Sequence, residues 1–214
     1  MDNREILVYG TLENWDLGRF VPVNEADKCH YGGYQEWLTE AGVPKFYADR
    51  SCGVTAATNL LFYLATNKPG MSKLCDHLGD TKAEYNAFQK ELFDFFSPSF
   101  FGVPTINYLI KRVEQYSQKK GAPLKAVQSA FVWSVDNVRA YITKGLNSGC
   151  PVLILTWKSD TSELAMHWVT ITRIFESDTG TKIVTSNWGE KRIYDFAKWV
   201  VDPHYYKGVV YFAT

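Results

Sequence analysis

Tyr47-Ala48-Asp49-Arg50-Ser51-Cys52-Gly53-Val54-Thr55-Ala56-Ala57-Thr58-Asn59-Leu60-Leu61-Phe62-Tyr63-Leu64 reads as a loop that runs into a helix at a cysteine. No charged residue occurs from Gly53 to Asn67. Val54, Ala57, Leu61 and Leu64 recur at helical spacing, and Leu60 widens the stripe. Asn67-Lys68-Pro69-Gly70 then stops the helix. The run is too short, and too rich in Thr and Asn, to span a membrane, so a central buried helix is expected. Asp49 or Ser51 is placed to act as its N-cap. Cys52 then lies where unpaired N–H groups and the positive end of the helix dipole favour an anion. Such a place lowers a thiol's pKa, and the thiolate is the nucleophilic form. Gly53 keeps the approach to the sulfur open. By itself, a cysteine here fits equally well as a small core hydrophobe. Only a base and an orienting group elsewhere in the chain change that balance.

Working outward, the 214 residues are enough for one large domain or two lobes sharing a cleft. The expected layout is a single domain over 1–214, with a helical lobe at about 47–148 and a sheet lobe at about 149–214. The composition, 46% hydrophobic and 15% aromatic, argues for a packed core and against disorder. Lys+Arg and Asp+Glu both number 23, so no net basic field exists to hold nucleic acid or an anionic membrane. The four cysteines, at 29, 52, 75 and 150, form no C-x-x-C, and free thiols are expected. Cys29-His30 and Cys75-Asp76-His77 lack the usual zinc-ligand spacing, so neither a metal nor a cofactor is expected. Met1-Asp2-Asn3-Arg4-Glu5 lacks the apolar core of a signal peptide. The literal expectation is a cytoplasmic protein, or a secreted one if a leader has been removed.

Short strands are expected at 6–8 and 20–23, a turn at Tyr31-Gly32-Gly33-Tyr34, and a short helix from Gln35 to Ala41. Thr81 to Phe96 is amphipathic, with Tyr85, Phe88, Leu92, Phe95 and Phe96 on one face. A further helix is predicted from Thr105 to Gln118. Ser134 is placed to cap another running to Asn147, which Gly149 ends. The pattern then changes to strands at 151–157, 165–175, 182–188 and 209–212. Helices followed by strands imply an α+β protein with an antiparallel sheet.

His167 lies within the strand Ala165-Met166-His167-Trp168-Val169-Thr170-Ile171-Thr172. A lone strand histidine is usually a satisfied core residue, but a rigid strand also suits a catalytic base. Asn187, in Thr185-Ser186-Asn187-Trp188-Gly189, ends the next strand, and Glu176-Ser177-Asp178-Thr179-Gly180 joins the two as a hairpin. Antiparallel neighbours bring Asn187 near His167, where an amide can fix the imidazole tautomer. Adjacent strand residues point to opposite faces, so Asn187 and Ser186 cannot both serve. Asn187 is the better partner, because a hydroxyl can rotate away.

Cys-Gly opening a buried helix, a strand His-Trp-Val and an Asn-Trp-Gly twenty residues beyond the histidine resemble the papain-like cysteine peptidases. The bacterial double-glycine-leader peptidase-like branch is the most similar, and the Gly149-Cys150-Pro151-Val152 step from helix to strand shares in that likeness. The match covers about 47–66 and 135–200; the N-terminal segment and residues 70–133 match no family pattern. The resemblance implies a papain-like α+β fold with the nucleophile helix packed on an antiparallel sheet. It also implies a Cys52–His167–Asn187 triad acting on a peptide or amide bond, with the Cys52 backbone N–H helping to hold the oxyanion. One departure stands out. The family's second oxyanion donor is a Gln six residues before the cysteine, and Phe46 stands there. Tyr47, Ser51 and the more distant Gln35 are the candidate replacements. Aligning the Trp-Gly pair with the Asn-Ser-Trp-Gly pattern of papain would instead give Ser186 the orienting role. A cysteine peptidase or thiol acyl hydrolase is the expected activity. The alternatives are an amidase, transglutaminase-like enzyme or acyltransferase with the same triad, and an idle papain-like binding module. The substrate and oligomeric state are not written in these residues.

Overall fold

A computed structural model describes residues 4–129, 132–202 and 206–214. Most of the segment Met1 to Glu5 on which the leader question rests, residues 1–3, lies outside them. The chain is α+β with an antiparallel sheet. Strands β1 (Glu5–Thr11), β2 (Pro22–Glu25) and β3 (Lys28–Tyr31) come first, followed by a 3₁₀ turn at Gln35–Thr39. Helices α1 (Lys45–Ala48), α2 (Cys52–Asn67), α3 (Lys82–Phe96) and α4 (Ile106–Lys119) follow. After β4 (Lys125–Val127) and α5 (Val135–Asn147) come β5 (Val152–Thr156), β6 (His167–Ser177), β7 (Gly180–Asn187), β8 (Glu190–Asp195), α6 (Phe196–Val201) and β9 (Lys207–Ala213).

The helix boundaries follow their capping chemistry. Thr81 and Glu84 form a reciprocal capping box at the start of α3. The hydroxyls of Thr105 and Ser134 accept the N–H groups of Tyr108 and Asn137 at the starts of α4 and α5. The start of α2 differs from expectation. Ser51 stands at the N-cap position, but its side chain makes no cap bond. Its hydroxyl donates instead to the carbonyl of Tyr47, at 2.7 Å, and Asp49 pairs with Lys45. Helix α1, which stands where a loop is expected, supplies the competing carbonyl.

One sheet runs in the order β4-β9-β5-β6-β7-β8, with β1 paired to the outer half of β6, and every pairing is antiparallel. Two of its strands, β1 and β4, come from outside residues 149–214. Helix α2 is buried from Gly53 to Ala65 and packs against β6 and β5. That explains its lack of charge: it has sheet on one side and α3, α4 and the Tyr31–Tyr34 segment on others. Most buried apolar residues of helices and sheet form one continuous cluster, and Leu38, Val43 and Ala48 form a small second one. Among the described residues, no helix is long and apolar enough to cross a membrane. Strands β3, β4 and β8 and helix α6 were not anticipated from the pattern. Each is short, and β8 and α6 owe their place to pairing and packing against β7.

Candidate active site

The cysteine comes from the first residue of α2, the histidine from the first residue of β6, and the asparagine from the last residue of β7. The β6–β7 register pairs Thr170 with Ser186. Extended by one residue, it sets Asn187 across from Val169, on the face His167 shares, so the two polar side chains meet diagonally. His167 Nε2 lies 2.7 Å from Asn187 Oδ1. Ser186 belongs to the other face: its hydroxyl donates to the carbonyl of Tyr31 at 2.6 Å and accepts from Asn59 at 3.2 Å. Cys52, His167 and Asn187 all line one small buried slot of about 10 Å³, the volume of a single water.

The amide of Asn187 is held from behind. Its Nδ2 donates to the Tyr194 hydroxyl at 2.9 Å, and that hydroxyl donates to Glu163 Oε2 at 2.7 Å. Glu163 in turn pairs with Arg192. Because Nδ2 is committed to Tyr194, Oδ1 is the atom facing His167, and as an acceptor only it requires the proton to sit on Nε2. The Nδ1 lone pair is therefore the basic one. Trp188 begins the turn into β8 with φ of 53°, in the left-handed region, so it leaves the strand alternation. Its ring packs on the His167 ring with centroids 5.1 Å apart, which shields the His167–Asn187 bond.

Burial sets the charge state of the pair. It pushes the Cys52 thiol up from its ordinary value, against the opposing pull of the backbone N–H groups of Trp168, Gly53 and Cys52 itself. This corrects the expectation of a thiol acidified by its helix end: desolvation outweighs the local N–H groups. Burial also lowers the His167 pKa, against the hydrogen bond to Asn187, which favours the imidazolium. Both shifts run toward the uncharged form of each group.

Of the candidate replacements for Phe46, the structure brings Gln35 to the slot that Cys52 lines. Phe46 is exposed, under the Arg50 guanidinium at 3.8 Å from its ring centre. Gln35 is carried there by the Gly32-Gly33 turn, which Asn59 of α2 fastens: its Oδ1 accepts the Gly33 N–H at 3.0 Å and the Tyr85 hydroxyl at 2.7 Å. Gly32 has φ of 74°, and a Cβ on Gly33 would overlap the Tyr85 ring, so both positions need glycine. Asn59 is a signal visible in the sequence, a buried amide inside a helix with no charged residue. Tyr194, Glu163 and Arg192 carried none.

All four cysteines are free thiols. Cys150 is buried, its sulfur accepting the Phe212 N–H at 3.4 Å, and it does not line the slot. Among the described residues, no three or more His, Cys, Asp or Glu side chains are grouped to hold a metal ion. No family model, no curated protein and no solved structure matches this chain.

Proposed function

We propose that this chain is a thiol acyl hydrolase of papain-like architecture, acting as a cysteine peptidase or on a related amide bond. The observation that carries the reading is the 2.7 Å bond from His167 Nε2 to Asn187 Oδ1 beside a helix-start cysteine. It fixes a tautomer whose free Nδ1 is the atom needed to take a thiol proton. Cys52 attacks the substrate carbonyl carbon as its proton passes to His167. The tetrahedral oxyanion is held by the Cys52 backbone N–H and the Gln35 side-chain amide. The carbon–nitrogen bond breaks, and the His167 proton goes to the leaving amine. Water then adds its hydroxide to the thioester carbonyl and its proton, through His167, returns to the sulfur. The raised thiol pKa and lowered imidazole pKa favour transfer of the proton during attack.

The test is turnover of peptide, amide and acyl-donor libraries by the intact chain and by Cys52→Ala. Cys52-dependent release of an amine from any library member supports the reading, and the productive library distinguishes peptidase from amidase or acyltransferase. A second reading, an idle binding module of the same architecture, draws support from the burial that raises the thiol's pKa. If no library member is turned over in a Cys52-dependent way, that reading replaces the first.

A further inference from the structure

Helix α3 turns one face toward the segment that carries Gln35. Lys82, Tyr85, Asn86 and Gln89 follow one another on that face at helical spacing. Lys82 Nζ pairs with Glu40 at 2.8 Å, just past the 3₁₀ turn, and lies 5.2 Å from the centre of the Trp37 ring. The Tyr85 ring packs on Gly33 and meets the Trp37 ring edge-on, with centroids 6.0 Å apart. Asn86 Nδ2 donates to the Trp37 carbonyl at 2.8 Å. Gln89 Nε2 donates to Thr55 Oγ1 of α2 at 2.7 Å and reaches the Tyr34 carbonyl at 3.4 Å. The two amides thus hold the main chain on either side of Gln35. Gln89 also ties it to the first turn of α2, where the Thr55 hydroxyl donates to the Ser51 carbonyl, next to Cys52, at 3.1 Å.

Folding alone gives little reason for amides at these places. Asn86 is 7% exposed and Gln89 fully buried, and among the described residues neither Asn86 Oδ1 nor Gln89 Oε1 has a hydrogen-bond partner. A buried acceptor without a partner opposes folding, and an apolar side chain of similar size avoids that cost. What an apolar side chain lacks is the N–H that pins the Gln35 segment. Gln35 depends on such support: its side chain is hydrogen-bonded to no described residue, so the backbone that carries it sets its aim.

We propose that Asn86 and Gln89 are positioning residues, which hold the Gln35 amide where a carbonyl oxygen joined to Cys52 gains negative charge. The proposal rests on the reading of Gln35 as the second oxyanion donor. Neither residue lines the slot, so each acts through Gln35. Helix α3 lies in the part of the chain that resembles no known pattern, and this gives it a share in the chemistry.

The test uses a small aldehyde, N-acetylglycinal, which adds reversibly to Cys52. The sulfur bonds the carbonyl carbon, and the thiol proton passes to the oxygen, which lies against the oxyanion donors. Its affinity is read as protection of Cys52 from iodoacetamide, by mass spectrometry of the modified peptide. The rate with iodoacetamide alone, which forms no oxyanion, is the control. Gln89→Met and Asn86→Leu are each expected to weaken the aldehyde by about tenfold to 10²-fold, with the control rate within about twofold of the unmodified chain. In a Gln35→Ala chain the same substitutions should add no further loss. Gln89→Asn, one methylene too short to reach Thr55, takes the place of an apolar variant that fails to fold, and the same loss is expected. Equal losses in both backgrounds, or a control rate that falls in step, overturn the proposal, as does an aldehyde that never protects Cys52. Unchanged affinity in every variant overturns the positioning role and leaves the hydrolase reading standing. A Gln35-dependent loss in a protein with no Cys52-dependent turnover keeps the positioning role and overturns the hydrolase reading instead.

Discussion

Nε2 of His167 bonds Oδ1 of Asn187 at 2.7 Å, while the next residue back, Ser186, turns to the carbonyl of Tyr31. Strand alternation thus turns the two side chains to different partners, although both residues border the slot beside Cys52. Asn187→Ala is expected to lower kcat/KM by roughly two to four orders of magnitude, because the imidazole loses its tautomer and its aim. Ser186→Ala should leave kcat nearly unchanged and instead cost about 1–2 kcal/mol of stability, since it strands buried partners. Steady-state kinetics with denaturant unfolding separates the two, and the reverse ranking would mean the wrong face has been chosen.

Cys52→Ala should abolish turnover and leave the fold intact. The thiol is small and lies at the end of α2, with part of its surface open, so truncation leaves a minor cavity. Near-native unfolding with activity below detection is the expected pair of results. Activity retained by the purified variant would send the search for a nucleophile to the other cysteines, Cys150 first.

Tyr194→Phe removes the hydroxyl that fixes the Asn187 amide and leaves Cys52, His167 and Asn187 themselves unchanged. Its Nδ2 would retain only the Glu163 carbonyl, at 3.5 Å. A several-fold to about thirtyfold fall in kcat with little change in KM is expected, as for a residue that positions another. A proportional rise in KM at constant kcat would assign Tyr194 to substrate binding.

Gln35→Ala is expected to lower kcat by about 10²–10³, the usual effect of losing one oxyanion donor. Phe46→Ala, at the position where the resembling family carries its glutamine, should change kcat by less than a few-fold, since Phe46 is an exposed residue under Arg50. Single-turnover acylation rates check this. Equal losses in both variants would argue that neither amide nor position matters specifically.

The pH dependence follows from two shifts of opposite sign. His167 has its pKa lowered, so the base stays competent below its ordinary 6.5 and the acid limb of kcat/KM should fall on the acidic side of that value. Cys52 has its pKa raised, so its alkylation in the absence of substrate should keep increasing above pH 9. For the fold, the unfolded chain binds more protons at His167 between the lowered value and 6.5. Its contribution to stability is therefore present above 6.5 and lost as pH falls through that window. An alkylation midpoint near or below 7 would show a thiolate already formed at rest.

The residues alone determined that α2 begins at Cys52, that the capped helices α3, α4 and α5 exist, and that an antiparallel pair carries His167 and Asn187. Each of those conclusions rests on local rules: helical spacing, a hydroxyl before an apolar run, and two-residue alternation. Short elements escaped because β3, β4, β8 and α6 are made by their neighbours rather than by their own periodicity. The tertiary structure alone decided where Gln35 lies, because the Asn59-fastened glycine turn brings it from before α1 to the slot beside Cys52. It also decided that Tyr194 and Glu163 stand behind Asn187, which follows from β8 pairing with β7. Most directly, it reversed the expected acidity of the thiol. A helix end is visible in sequence, but the desolvation that outweighs it is a property of the whole packed chain.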